Sequence, residues 1–345
     1  MIYLLLGILI SMLAYIEVIV KDKEFSRNSL SFVCIVMWLL AGLRYKVGAD
    51  WNSYFEFYQE TTDAVEIGYA TLNNVFSKLS VPYNVFLLFI NGISLILMYI
   101  FLRKHSLVLV IGMLIFYSDL FLYFNLSGIR QAIATAITCY SITYAINRQF
   151  VKFSLLVVLA SCFHLTALVF FAAYFLPRKK FSTFQLLFFA GGFLSFSFFI
   201  NYFSELITLY TMKNAEFYLT QQVKSENLLG LFYVGIAKRL IIVGLIFGFG
   251  RKIINNGNFR YFFNIYLFGL AIYLTSYMIS PDIGVRLSSY FITFEMVIAG
   301  NLLYFTKSRN TRLLIVTIFF AVVMYKLLGY SKDETYVYHS IIDLF

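Results

Sequence analysis

Long apolar runs alternate with short polar segments along nearly the whole chain. Most of the runs approach the roughly 20 residues that an α-helix needs to cross about 30 Å of hydrocarbon. The pattern therefore predicts an all-α polytopic membrane protein with about 11 transmembrane segments. The apolar runs lie at about residues 1–20, 29–43, 84–102, 106–124, 128–147, 152–177, 184–203, 230–250, 260–280, 287–305 and 312–330.

Basic residues cluster in alternate loops between these runs. Assigning those loops to the cytoplasm collects 16 of the 27 lysines and arginines, against two acids, Asp22 and Glu24. Because cytoplasmic loops carry an excess of Lys and Arg, the alternation predicts that both termini lie outside. The first run has no basic residue before it and no small-x-small cleavage site before Lys21, so it is predicted to be a retained span. The basic residues are Lys21, Lys23, Arg27, Arg103, Lys104, Arg148, Lys152, Arg178, Lys179, Lys180, Arg251, Lys252, Arg260, Lys307, Arg309 and Arg312.

The run at 152–177 does not fit this topology as a single crossing. Both of its basic flanks must lie inside, yet the run is too short for two complete crossings and long for one. We therefore predict a re-entrant hairpin of two short helices that turns near residues 162–166. Non-helical backbone at that depth requires cover from protein or a watery cavity. The alternative is one long tilted span.

Composition supports the membrane assignment and excludes other classes. The chain is 61% hydrophobic and 13% charged, whereas soluble domains average about 25% charged residues. The net charge of +10 falls mostly in short loops, where it orients the protein, so nucleic acid is not a predicted partner. Cys34, Cys139 and Cys162 lie inside apolar runs without metal-ligand spacing, and we predict neither a disulfide nor a Cys-ligated metal.

Two larger loops, at about 44–83 and 204–229, are predicted to face outward. They hold eight of the 17 acidic residues. The chain shows neither an internal repeat nor a linker, which favours a single integral membrane domain over 1–345. The stretch 42–58 combines charged and aromatic residues directly after an apolar run. Charged side chains next to an apolar run are costly to place at a membrane surface unless they have a function. We therefore interpret residues 42–58 as the rim of an active site.

Arginines stand at three boundaries that this topology places outside. Arg130 lies in the first turn of a predicted helix, where free N–H groups and the positive end of the helix dipole point outward. A guanidinium there predicts a phosphate or diphosphate site, because its planar fork matches phosphate oxygens. Arg44 and Arg286 stand at two other outer boundaries, and convergence of the three would bind a polyanionic headgroup. For Arg130 the alternative is an arginine that only snorkels at a helix end.

Buried ionisable residues supply further candidates. Among the three histidines only His164 has an apolar context, and at the tip of the predicted hairpin it is a candidate general base. The alternative is a structural histidine. Lys238 and Arg239 are predicted to lie about 12 Å below the outer end of their span, with Glu295 at a similar depth in another. Charges at that depth are costly unless paired or hydrated, so we predict an Arg239–Glu295 contact that lines an aqueous cavity or forms a structural ion pair.

The order of these motifs resembles the EpsG-like branch of bacterial Wzy-type polysaccharide polymerases. The resemblance covers most of residues 40 to 180 and is looser at Arg286 and Tyr290. The residues that carry it are Leu43-Arg44-Tyr45, Val47-Gly48, Asp50, Tyr54, Gly128-Ile129-Arg130-Gln131, Ile133-Ala134, Phe163-His164 and Thr166-Ala167-Leu168.

The resemblance implies a GT-C-like, metal-independent glycosyltransferase of the inner membrane. Such an enzyme elongates O-antigen, capsule or exopolysaccharide on the outer face from undecaprenyl-diphosphate-linked repeat units. It implies no cofactor, and a chain-length regulator and a flippase of the same pathway as partners. The predicted catalytic residues are His164, Asp50, Arg130 and Arg286, and the predicted substrate-binding residues are Arg44, Tyr54, Gln131, Lys238, Arg239, Asp282 and Tyr290.

The residue types suit this chemistry by themselves. Arginines would neutralise the charge that develops on a leaving lipid diphosphate, while His164 or Asp50 takes the proton of the attacking sugar hydroxyl. Aromatic residues between Trp51 and Tyr58 are candidates for stacking on sugars. Three alternatives remain open at this point: a glycan ligase that uses the same lipid donor, a flippase of lipid-linked sugar, and an O-acetyltransferase. The absent repeat disfavours the flippase, and the outward polar strip disfavours the acetyltransferase, whose donor is cytoplasmic.

Overall fold

A computed structural model describes residues 1–60, 65–182, 228–250, 253–254, 257–277 and 280–344, together with Gly191 and Ser195. In this part of the chain the regular structure is helical, as the sequence predicts, and the only extended pairing is one isolated bridge. Apart from Gly191 and Ser195, the predicted span at 184–203 lies outside the described residues, as does most of the predicted loop at 204–229.

The helices are numbered here in chain order. They are α1 (Ile2–Val20), α2 (Lys23–Gly42), α3 (Trp51–Gln59), α4 (Ile67–Lys78), α5 (Tyr83–His105), α6 (Val110–Phe116) continued by a π-helix (Tyr117–Asn125), α7 (Ile129–Ile146), α8 (Phe150–Ser161), a 3-10 helix (Leu165–Phe170) continued by α9 (Phe171–Phe175), α10 (Leu228–Phe249), α11 (Gly257–Ser276), α12 (Pro281–Ile292), α13 (Glu295–Phe305) and α14 (Arg309–Lys332).

Several of these helices identify a multi-pass membrane protein. Among the described residues, five helices are long and apolar enough to cross a bilayer, namely α1, α2, α5, α10 and α14. A sixth would result if α12 and α13 formed one broken span. The count of about 11 segments, the GT-C-like architecture and the placement of both termini outside stay predictions.

The chain divides into two compact units. The first unit comprises Met1–Tyr174 and Thr293–Phe345, and the second comprises Phe175–Ile292. The predicted organisation as a single domain stays a prediction. Helices α1 to α8, α13 and α14 lie wholly in the first unit.

Helix α7 is largely enclosed within the first unit. It contacts α5, α8 and the π-helix, and all of its residues are buried except Arg130, Tyr140, Tyr144 and Ile146. Enclosure by protein allows this helix to carry polar residues, because their hydroxyl groups can bond backbone carbonyls one turn earlier. Thr138 and Ser141 do so at 2.8 and 2.7 Å. Arg130, at the accessible end, is the one charged residue of the helix.

A buried carboxylate fixes the opposite side of the same unit. Glu17 of α1 is 3% exposed and accepts hydrogen bonds from the backbone N–H groups of Leu109 and Val110, at 2.7 and 2.9 Å. These are orphan donors at the start of α6, and the carboxylate satisfies both of them. The buried charge therefore has a structural explanation.

Residues 150–175 form the predicted turn. Helix α8 ends at Ser161, and the chain returns through the 3-10 helix and α9, so no continuous helix covers 152–177. Phe153 packs against Phe170 with ring centroids 6.0 Å apart. At the base of the hairpin, the Arg148 carbonyl accepts from the Tyr174 hydroxyl at 3.2 Å and the Arg148 guanidinium donates to the Tyr174 carbonyl at 3.3 Å. The predicted fold-back is confirmed, while its depth in a bilayer stays a prediction.

The loop at 44–83 contains the two short helices α3 and α4. Trp51, Tyr54 and Tyr58 form the buried face of α3, and this face packs on Tyr83 at the start of α5. Aromatic residues spaced at i, i+3 and i+7 lie on one side of a helix, which explains how a nine-residue helix is held. The rings predicted to stack on sugar therefore serve as packing in this structure, although the role of Tyr54 in substrate binding stays a prediction.

The carboxyl-terminal tail lies along the start of the same loop. The Tyr45 N–H donates to the His339 carbonyl and the Gly48 N–H donates to the Thr335 carbonyl, each at 2.8 Å. Arg44 and Ser340 form an antiparallel bridge. The tail therefore fixes the backbone that leads into α3.

The second unit is held by close helix packing between α11 and α12. A Cβ at Gly284 would lie 2.7 Å from the backbone of Tyr277, so the two helices approach at a position where only glycine fits without movement. The side-chain amide of Asn264 donates to the carbonyls of Pro177 and Lys179 at 2.7 and 2.9 Å. This contact ties the start of the unit to α11.

Gly48 generates a stability prediction. Its φ is +97°, and an added Cβ would lie 1.9 Å from the Leu126 carbonyl oxygen, just before α7. We expect Gly48→Ala to lower the free energy of unfolding by about 2 kcal/mol or more, because strain and a backbone clash add. The apparent melting temperature of detergent-purified protein, read from the monodisperse fraction after heating, measures the effect.

Gly329→Ala is the matched control. Gly329 lies in α14 of the same unit, and no heavy atom of the described residues would lie within 4 Å of a Cβ there. Alanine at an exposed helix position gains about 0.5–1 kcal/mol over glycine, so its melting temperature should stay equal or rise. Equal melting temperatures for the two variants and the wild type would contradict the role assigned to Gly48.

Candidate active site

Four side chains from four separate segments meet at one end of the first unit. They are Tyr54 of α3, Glu66 just before α4, Arg130 in the first turn of α7, and His164 in the turn that follows α8. Three of them were predicted from the sequence, and Glu66 was not. We call these four residues the Arg130 cluster.

Arg130 is held by two partners. Its Nε donates to the Tyr54 hydroxyl at 3.1 Å, and its Nη1 forms a short ion pair with Glu66 Oε2. The guanidinium carbon also lies 5.7 Å from the Tyr54 ring centroid. The Arg130 side chain keeps 20% of its surface exposed. The guanidinium is therefore fixed in direction but still open to an anionic ligand.

The two carboxylate oxygens of Glu66 contact different segments of the chain. Oε2 pairs with Arg130, while Oε1 accepts from the Leu165 N–H at 3.2 Å and lies 4.0 Å from His164 Nδ1. The Gly68 N–H donates to the Cys162 carbonyl at 2.7 Å nearby. A Cβ at Gly68 would lie 2.7 Å from that carbonyl oxygen, so the start of α4 contacts the hairpin turn directly. One carboxylate thus connects α7 with the hairpin.

His164 occupies the predicted tip of the hairpin. Its backbone is extended, its N–H closes the end of α8 on the Ala160 carbonyl at 3.0 Å, and its carbonyl accepts from the Ala167 N–H at 2.9 Å. Nδ1 lies 2.9 Å from the Thr166 hydroxyl oxygen, and the imidazole is 12% exposed. The ring is thus oriented through Nδ1, which is the arrangement a general base requires.

Asp50 and Gln131 lie on the segments that flank the cluster. Asp50 precedes α3 by one residue, and its N–H donates to the Ser127 hydroxyl at 3.2 Å, so it lies over the entrance to α7. Gln131, next to Arg130 in sequence, is fully buried. Catalysis by Asp50 and substrate binding by Gln131 stay predictions.

Arg44 has an unexpected environment. It is 1% exposed, its Nη1 donates to the Ala41 carbonyl, and its Nε has no hydrogen-bond partner in the described part of the chain. Burial lowers the pKa of Arg44, and nearby tyrosines, Tyr83 first among them, oppose that shift. Burial raises the pKa of Tyr69, and the positive charges of Arg130 and Arg44 oppose this rise. Both guanidiniums therefore lie near the Tyr69 phenol. Arg44 could contact substrate only if the residues that bury it moved.

The remaining predicted residues lie in the second unit. Arg286 forms an ion pair with Asp282 at 2.8 Å, one turn apart on α12, and Tyr290 follows one turn later with no exposed surface. On α10, Arg239 lies 3.7 Å from the Tyr273 ring centroid, and Lys238 is half-buried. Convergence of Arg286 with Arg44 and Arg130, and the contact of Arg239 with Glu295, would join the two units and stay predictions.

Glu66 is the residue that sequence reasoning missed. It is one of several acids in an outer loop, and nothing in its immediate neighbours separates it from Glu56 or Glu60. The one feature that could have drawn attention to Glu66 is its position just before the helix that starts at Ile67. A carboxylate is favoured at such a position by free N–H groups and by the helix dipole. That signal gives a helix cap and not a partner for Arg130.

The described residues contain no group of three or more His, Cys, Asp and Glu side chains arranged to hold a metal ion. The cation of the Arg130 cluster is a guanidinium. The arrangement is therefore able to bind an oxyanion beside an oriented imidazole.

Comparisons with known proteins are consistent with this site. The EpsG family model matches residues 28–340, a range that contains the whole Arg130 cluster and all of the other predicted site residues. No curated protein and no solved structure matches the chain. The chain belongs to the EpsG family, which indicates a membrane-embedded, polysaccharide polymerase-like glycosyltransferase.

Proposed function

We propose that this protein joins undecaprenyl-diphosphate-linked oligosaccharide repeat units into O-antigen, capsule or exopolysaccharide on the outer face of the inner membrane. The observation that carries the proposal is the partly exposed Arg130 guanidinium, fixed by Tyr54 and Glu66 beside His164. Membership of the EpsG family supports the same reaction class.

The reaction transfers the growing chain to the incoming unit. A hydroxyl of the incoming sugar attacks the anomeric carbon of the lipid-linked chain and forms the new C–O bond. The bond between that carbon and the diphosphate oxygen breaks, and its electron pair leaves with the lipid diphosphate. His164 accepts the proton of the attacking hydroxyl. Arg130 stabilises the negative charge that grows on the leaving diphosphate.

Two features make the start of α7 suitable for a diphosphate. The helix has 18 residues, so its first turn lies at the positive end of a helix dipole. Arg130 adds a full positive charge at the same place. A diphosphate binds such a combination more strongly than either feature alone, because charge-assisted hydrogen bonds are about twice as strong as neutral ones.

The hairpin sets the depth of the reaction. Helix α8 has 12 residues and therefore rises about 18 Å, less than the roughly 30 Å of hydrocarbon. With its basic base at the inner surface, the His164 tip would lie in the outer half of the bilayer, about 12 Å below the outer edge of the hydrocarbon. The helices α3 and α4 of the outer loop would cover it from outside.

The other predicted residues extend this proposal. Asp50 lies where the incoming unit would approach the start of α7. Arg286 and Asp282, with Lys238 and Arg239, would contact the glycan or the second diphosphate. We also propose that the chain forms a single membrane domain. A chain-length regulator and a flippase of the same pathway are its proposed partners.

A deletion strain tests the reaction class. If the product is an O-antigen attached to a lipid core, loss of the polymerase should leave surface glycan with a single repeat, because attachment of unpolymerised units continues. Loss of all surface glycan would instead identify a ligase or a flippase. Electrophoresis of surface glycan separates these outcomes, and the wild-type gene on a plasmid is the control.

Arg130→Lys tests the diphosphate site. Lysine keeps the charge but cannot bond Tyr54 and Glu66 in two fixed directions at once, so we expect about a 100-fold lower rate of chain elongation. Purified protein and lipid-linked repeat units extracted from the deletion strain give the rate as a glycan ladder. Arg27→Ala, an exposed arginine on α2, is the matched control and should keep full activity. A full ladder from Arg130→Lys contradicts the site.

Chelation tests metal dependence. Because a guanidinium neutralises the leaving diphosphate in this proposal, elongation by purified protein should keep at least half of its rate after treatment with EDTA. The same glycan ladder measures it, with and without added Mg²⁺. A strict requirement for a divalent ion would overturn this part of the proposal.

A further inference from the structure

Arg44 is a buried cation that pairs with no carboxylate in the described part of the chain. It is 1% exposed, its Nη1 donates to the Ala41 carbonyl, and its Nε has no hydrogen-bond partner among the described residues. A buried charge is costly unless it is both paired and hydrogen-bonded. The Arg44 guanidinium therefore calls for a partner that accepts hydrogen bonds and carries negative charge.

Three phenols near Arg44 have the same need. Tyr83, Tyr3 and Tyr69 lie close enough to interact electrostatically with its charge. Each is at most 6% exposed, and the hydroxyl of each has no hydrogen-bond partner among the described residues. Buried polar groups without a partner are rare in native structures. Guanidinium N–H and phenol O–H groups all donate, so one acceptor among them would satisfy them together.

The fold holds these donors together from several segments. Tyr83 begins α5, and the side-chain amide of its neighbour Asn84 donates to the Arg44 carbonyl at 3.0 Å. Tyr3 lies in the first turn of α1, and its ring centroid is 6.3 Å from that of Tyr338 in the tail. The donors are thus held in place by α1, α5 and the tail.

The tail lies against Arg44 and is weakly held. Ser340 pairs with Arg44 in the isolated bridge, and the Tyr338 hydroxyl donates to the Leu40 carbonyl at 3.1 Å. Between residues 333 and 343, all residues except Tyr336 are exposed or partly exposed. A segment with few buried contacts and exposed backbone bonds opens at low cost in free energy. Local opening of the tail would therefore give access to Arg44.

We propose that Arg44 and the hydroxyls of Tyr3, Tyr69 and Tyr83 form a second phosphate site beneath the tail. A phosphate group carries the negative charge that Arg44 requires, and its oxygens accept hydrogen bonds from a guanidinium and from phenols. The tail opens to admit the phosphate group.

Tyr69 connects this site with the Arg130 cluster. Its ring centroid lies 5.5 Å from that of Tyr54, whose hydroxyl accepts from Arg130 Nε. The proposed reaction brings together two lipid diphosphates, one on the growing chain and one on the incoming unit. Arg130 holds the first, which assigns the Arg44 site to the second. This assignment rests on the proposed function, whereas phosphate binding at Arg44 is testable without it.

Thermal stability measures the binding. Full-length purified protein is heated in inorganic phosphate, or in sodium chloride at equal ionic strength. We expect saturating phosphate to raise the apparent melting temperature of the wild type by about 3 °C, because it binds only the folded state. Tyr83→Phe and Tyr3→Phe remove one hydroxyl each and should lose at least half of this rise. In chloride both variants should melt at or above the wild-type temperature, because an unpaired donor has been removed.

Tyr58→Phe is the matched control. Tyr58 is also buried, and its ring centroid lies 5.1 Å from that of Tyr83, but its hydroxyl donates to the Val81 carbonyl at 2.5 Å. This variant should melt below the wild type in chloride and keep the full response to phosphate. Arg130→Lys should keep at least half of the response, because the two sites are separate.

The source of the phosphate group is identified by a second ligand. Undecaprenyl diphosphate in detergent micelles replaces inorganic phosphate in the same measurement. A bound lipid must extend out of the site, so it should hold the tail open and speed hydrogen exchange at the Tyr45 and Gly48 amides, which bond the tail. Free phosphate should leave this exchange equal or slower. A response to either ligand that depends on Tyr83 and Tyr3 supports the site.

Two results would overturn the inference. One is no stabilisation by either ligand, and the other is an equal response in the wild type, Tyr83→Phe and Tyr3→Phe. Both leave the proposed function intact. Wild-type glycan ladders from both Arg130→Lys and His164→Gln would instead overturn the proposed function, and with it the assignment of the second diphosphate, but not phosphate binding at Arg44.

Discussion

The contact between Glu66 and Arg130 is the interaction on which the rest of the site depends. It joins residues 64 positions apart, and through the Leu165 N–H the same carboxylate reaches a residue 99 positions away. Each partner is only partly exposed, so solvent and salt screen the pair less than they screen a surface salt bridge. One carboxylate thus fixes the outer loop, the start of α7 and the hairpin turn relative to one another.

The surrounding fold makes this contact possible by covering polar backbone. Helix α7 is enclosed by protein, the hairpin ends in a turn whose carbonyl at Cys162 is bonded by Gly68, and the tail bonds the backbone at Tyr45 and Gly48. Irregular backbone near a membrane is tolerated only where such partners exist. The short helices α3 and α4 therefore serve as cover for the site and as the carriers of Tyr54 and Glu66.

Arg44 and Arg130 show how similar sequence contexts acquire different roles. Arg44 follows an apolar segment, Arg130 begins one, and both carry the family resemblance. The Arg44 guanidinium is buried beneath tyrosines, whereas the Arg130 side chain keeps a fifth of its surface exposed. The difference arises from the tail, which pairs with residues 43–48 from almost 300 positions away. In the described part of the chain no carboxylate pairs with Arg44, and its burial beneath phenols encloses it. The exposed guanidinium of Arg130 is open to an anionic ligand.

The sequence by itself determined the helical, multi-pass class, the fold-back at residues 162–166 and the positions of Arg130 and His164 at helix boundaries. Hydropathy, helix-end chemistry and loop charge are local properties, and they can be read from neighbouring residues. The tertiary structure alone decided that Glu66 pairs with Arg130, that Tyr54 orients the guanidinium and that Arg44 is buried. Those outcomes depend on which distant segments pack together, because a carboxylate or phenol in a polar loop has the same local signature whether it faces water or a partner.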